Sequence, residues 1–99
     1  MRILIRERIL LPTMGVAERV KWAREIAQMS QRGLAKAAGL SEAVVRHVEA
    51  GTTKTIEATT AIELARVLRC SVGWLLAGEG DPPSEESLIA LREPAEGAA

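Results

Sequence analysis

The chain has 99 residues, 47% of them apolar, with two tryptophans and neither Phe nor Tyr; that length allows one domain with short arms. A single cysteine excludes an internal disulfide, so a reducing cytoplasm is the expected setting. Thirteen Lys and Arg balance thirteen Asp and Glu, which removes the overall basic surplus of many nucleic-acid binders, yet residues 14–80 hold nine bases against seven acids while 81–99 hold one against five.

Residues 1–13 form an N-terminal arm. Within it Arg2-Ile3-Leu4-Ile5-Arg6 alternates polar and apolar side chains and fits a short strand, or an extension that orders against a partner. Its apolar runs are too short for a signal peptide or a membrane span, and Pro12 and Gly15 break the chain after it. From Val16 the period becomes helical: Val16, Val20, Ala23 and Ala27 line one stripe. Ser30 is placed to cap a second helix with Leu34, Ala35 and Ala38 on its inner face, ended by Gly39. Ser41 caps a third, in which Glu42 suits the positive end of the helix and Val45 and Val48 face inward, up to Gly51.

Residues 52–56 read as a loop. A fourth helix starts near Glu57, with Ala61, Leu64, Ala65 and Leu68 at core spacing, and Ser71 caps a short fifth one carrying Val72, Leu75 and Leu76. This closes a domain over 14–80. Residues 81–99 are then an acidic C-terminal tail in which Ser84 starts a short helix through about 91. The expected fold is a compact all-α domain of five helices with short arms. Helices two and three are each about eight residues long and unstable alone. The few residues between them force a steep crossing, the geometry of a helix-turn-helix.

The run Ser30-Gln31-Arg32-Gly33-Leu34-Ala35-Lys36-Ala37-Ala38-Gly39-Leu40-Ser41, followed by Val45, Val48, Glu49 and Gly51, resembles the lambda-repressor and Cro type of helix-turn-helix, the xenobiotic-response-element family. Leu64-Ala65-Arg66-Val67-Leu68 and Ser71-Val72-Gly73-Trp74-Leu75-Leu76-Ala77-Gly78 look like its closing helices. The resemblance covers about residues 15–80. It implies a transcriptional regulator, a repressor in the expected case, that binds double-stranded DNA as a homodimer on a near-palindromic operator.

Position by position, the resemblance makes Gln31 a phosphate holder that steadies the recognition helix. It makes Ser41, Glu42, Ala43, Arg46 and His47 the positions that meet DNA. Spacing supports this independently, since 42, 43, 46 and 47 share one helix face while 45 and 48 share the other. Arg24 and Glu49 match a structural brace between helices one and three, and Lys54 is a further phosphate candidate in the loop. Gly33 departs from the family pattern, in which a helix-forming acid is usual.

Each residue also has a plainer role. Glu42 can accept from a cytosine amino group or simply favour its helix terminus; Arg46 can meet a guanine, a phosphate or only water. Ala43 offers a methyl to thymine but is also a good helix former, and His47 can be an idle surface imidazole. Trp22 and Ile26, four apart, make an apolar ridge that needs a cover, either a dimer partner or the N-terminal arm. With one His and one Cys, no metal site, cofactor or catalytic constellation is expected, and the chain is read as a non-enzyme. The alternative is a protein-interaction module, such as a toxin-neutralising antitoxin that also regulates its own operon. It would engage a protein partner through the terminal arms, with Leu88, Ile89 and Leu91 as docking residues.

Overall fold

A computed structural model describes residues 15–52 and 56–92. The expected strand at 2–6, the rest of the N-terminal arm and Lys54 lie outside the described residues. Those described form helices without strands: α1 (Val16–Ile26), α2 (Gln31–Ala38), α3 (Glu42–Ala50), α4 (Ala58–Leu68), α5 (Val72–Ala77) and α6 (Glu85–Ile89).

The helix starts follow local chemistry. Ser30, Ser41, Ser71 and Ser84 all have extended backbones, and each hydroxyl accepts from a first-turn amide: Gly33 N at 2.8 Å, Val44 N at 3.3 Å, Trp74 N at 3.0 Å and Ser87 N at 3.0 Å. Each such bond satisfies an amide that the helix cannot pair internally. α1 starts differently: Glu18 reaches back so that the Gly15 amide donates to its Oε1 at 2.9 Å. Gly33 lies in the first turn of α2, where a Cβ would come within 3.2 Å of the Ser30 hydroxyl that caps the helix. The departure from the family pattern therefore costs helix propensity, roughly 1 kcal/mol, but leaves the cap unobstructed.

α2 ends at Gly39, whose φ of 71° is left-handed. Its amide donates to the Lys36 carbonyl at 3.2 Å, and the Leu40 amide donates to the Ala35 carbonyl at 2.8 Å. Those bonds close the helix while Leu40 drops half-buried onto the core. Ser41 then opens α3, so only Gly39, Leu40 and Ser41 separate the two helices.

The core is aliphatic and thin, as a chain without Phe or Tyr requires. Leu34, Leu64, Leu68, Leu75, Val20 and Val45 are fully enclosed, with Ala23, Ala27, Ala35, Ala38 and Ala65 letting the helices approach closely. α1 packs against α3, α4, α5 and α6, while α2 packs against α3 and α4. Trp74 is buried from α5, and the half-buried Trp22 lies with its ring centre 6.0 Å away at 60°.

Leu88 of α6 is also fully buried in this cluster. The short helix expected after residue 80 thus packs on the helices of the 14–80 segment. α6 packs along α1, the Arg92 Nε donates to the Ile26 carbonyl at 2.9 Å, and the segment through residue 92 belongs to the folded body. Leu88 is correspondingly removed as a docking residue for a partner. Leu91 is half-buried against the core, and Ile89 remains exposed.

Candidate nucleic-acid interface

α3 is amphipathic in the simplest sense. Val45 and Val48 are buried, while Glu42, Arg46 and His47 are exposed and Ala43 is half-exposed on the other side. The helix therefore cannot roll without exposing its valines, and its outward face is held. Ser41 stands exposed at the same end, so the outward residues expected from the sequence come together around one helix face. The Glu42 and Arg46 side chains lean toward one another, with Arg46 Nη1 4.0 Å from Glu42 Oε2.

Behind that face lies an ion pair that locks α3 to α1. Arg24 Nε donates to Glu49 Oε2 at 2.6 Å and Nη2 donates to Oε1 at 2.9 Å, the parallel two-bond arrangement that suits a guanidinium and a carboxylate. The Glu49 side chain is only 4% exposed and that of Arg24 13%. The hydrogen bonds to Glu49 hold the guanidinium more firmly charged than an ordinary arginine, against the opposing effect of burial.

Two partners of this pair have no counterpart in the sequence pattern. Arg24 Nη1 donates to the Met29 carbonyl at 2.8 Å, which ties the turn after α1 to the brace. Gln31 Nε2 donates to Glu49 Oε1 at 3.0 Å, so the first residue of α2 hangs from the same carboxylate. A guanidinium has five donors and one carboxylate cannot take them all, which is the signal that Arg24 needs a further acceptor. A primary amide has two N–H bonds. One is spent on Glu49.

Residues 20–75, more than half of the chain, match the family described as Helix-turn-helix. The chain belongs to this family, in its Cro and lambda-repressor type. It is similar to the HTH-type transcriptional regulator DicA of Escherichia coli (strain K12), at 33% identity over 75 residues that make up 72% of this chain and 55% of that protein. The chain thus spans about half the length of this curated relative.

In this helix-turn-helix chain the apolar ridge of Trp22 and Ile26 is partly enclosed by its own elements. Trp22 meets Trp74 of α5, and Ile26 is half-buried against the core. A second buried arginine, without a local signal in the sequence, supports the same end of the molecule: Arg19 Nε donates to the Leu75 carbonyl at 2.9 Å, and its guanidinium carbon lies 5.9 Å from the Trp74 ring centre. Burial pushes the Arg19 guanidinium below its usual range. Cys70 is half-buried, and burial pushes its thiol up to about 11, so it is a packed thiol at neutral pH. Among the described residues no helix is long and apolar enough to cross a membrane.

Proposed function

We propose that the chain is a sequence-specific DNA-binding transcriptional regulator, acting as a repressor, that binds a near-palindromic operator as a dimer with α3 in the major groove. The observation that carries this reading is the position of Glu49. One buried carboxylate holds both the brace from α1 and the first side chain of α2, while the opposite face of α3 is exposed. A reading head needs that combination: a rigid rear and a bare front. Gln31 and Ser41 are assigned to phosphates, and Glu42, Ala43, Arg46 and His47 to base edges. Lys54 is a further phosphate contact. The similarity to a protein that itself is an HTH-type transcriptional regulator supports the regulatory role.

Two copies would present their α3 helices about 34–36 Å apart, one turn of the duplex. The test is selection of binding sites from a random duplex pool, followed by footprinting. The expected result is a symmetric consensus protected on two half-sites, with affinity falling steeply as salt rises because phosphate contacts release counterions. Failure to enrich any sequence at low salt would remove the reading, and a single unsymmetrical site would remove the dimer.

A further inference from the structure

The reading of α3 as a recognition helix leaves open which bases it prefers, and the Glu42–Arg46 pair bears on that question. Both side chains are about half exposed, 46% and 54%. An exposed pair of this kind contributes little to stability. Its placement is the informative part. The two residues are one turn apart on the outward face, and their charged tips lie 4.0 Å from each other.

The tips also carry opposite chemistry. A guanidinium offers only donors and matches the paired acceptors O6 and N7 of guanine; an ionised carboxylate offers only acceptors and matches the N4 amino group of cytosine. A bare carboxylate is otherwise a poor guest in a major groove. It is repelled by the phosphates and faces lone pairs at guanine O6 and N7 and at thymine O4. With one oxygen toward Arg46 and the other toward an amino group, it is accommodated.

Resting on the proposed insertion of α3 into the major groove, we infer that Glu42 and Arg46 act as one reading unit for two adjacent G·C base pairs. Arg46 takes the guanine of one pair and Glu42 takes the cytosine of the next, while Glu42 also holds Arg46 in its aim. Glu42 is thus both a specificity residue and a positioning residue, and its effect on Arg46 runs through the carboxylate.

The experiment compares the full chain with Glu42→Gln, Glu42→Ala and Arg46→Ala on the selected operator. Each is measured against duplexes in which either G·C pair is exchanged for A·T. Wild type should lose at least about fivefold in affinity for each exchange. Glu42→Gln should shift its own pair toward A·T, because a carboxamide matches adenine N6 and N7, and should weaken the guanine preference at the neighbouring pair. Arg46→Ala should abolish the guanine preference.

A selected operator without two adjacent G·C pairs in each half-site overturns the inference and leaves the recognition helix standing. The paired reading also fails if Glu42→Ala binds every duplex more tightly with unchanged base preference, the behaviour of a carboxylate that only repels phosphates. Absence of any sequence preference in the wild type overturns this inference together with the reading beneath it. Circular dichroism of each variant checks that helix content is kept, as expected for exposed side chains.

Discussion

At the scale of single residues, Glu49 concentrates the consequences. Its carboxylate accepts from Arg24 Nε, Arg24 Nη2 and Gln31 Nε2 while nearly buried, so removing it strands a guanidinium that is itself mostly out of water. Glu49→Ala is expected to lower stability by about 3–5 kcal/mol, the usual cost of leaving one half of a buried pair, read as a drop in the midpoint of urea unfolding. A loss under about 1 kcal/mol would mean that Arg24 finds water readily and that the brace is ornamental. Gln31→Ala tests the opposite balance. Gln31 is half-exposed, so water can replace its bond to Glu49 and stability should fall by only about 1 kcal/mol. DNA affinity should drop by a similar factor on every sequence, since a phosphate contact carries no base preference. A change of preferred sequence in a binding-site selection would contradict the phosphate assignment.

Among the elements, the turn between α2 and α3 sets what the reading face can do. Gly39 adopts a left-handed φ of 71° with nothing within 4 Å of where a Cβ would stand. Gly39→Ala therefore meets no clash, and its expected cost of about 1 kcal/mol is conformational alone. Gly39→Asn should cost less, because asparagine tolerates this backbone better than alanine. Thermal unfolding of the two variants checks the order, and an equal loss would point to sterics instead. Helices of eight and nine residues cannot persist in isolation. The two helices are kept in place because Leu34, Ala38, Val45 and Val48 are buried on either side of the turn.

Taken whole, the molecule depends on its C-terminal segment more than its composition suggests. Leu88 is fully buried and Arg92 bonds to the end of α1, so deleting residues 84–99 removes part of the core. Leu88→Ala alone should cost about 2–5 kcal/mol, measured by denaturant unfolding. The deletion should cost at least as much, and should weaken DNA binding only as far as it unfolds the protein. A deletion variant as stable as the full chain would support a domain that ends near residue 80. The thin aliphatic core makes such losses matter, because a domain of this size holds only a modest net stability.

What the sequence determined by itself was local. Four serine caps, the glycines that close α2, α3 and α5, and the period of the valines, leucines and alanines are written in spans of a few residues, so helix positions and the faces of α3 were legible. The pairing of Arg24 with Glu49 came from the resemblance to known proteins, since no local pattern links residues 25 apart. The remainder was decided by tertiary packing. The sharing of Glu49 between Arg24 and Gln31, the hold of Arg19 on Leu75, and the inclusion of Leu88 in the core each join segments distant in sequence. A charged or apolar side chain on a short helix announces that it needs a partner, but only the folded arrangement of the helices brings the partner within reach.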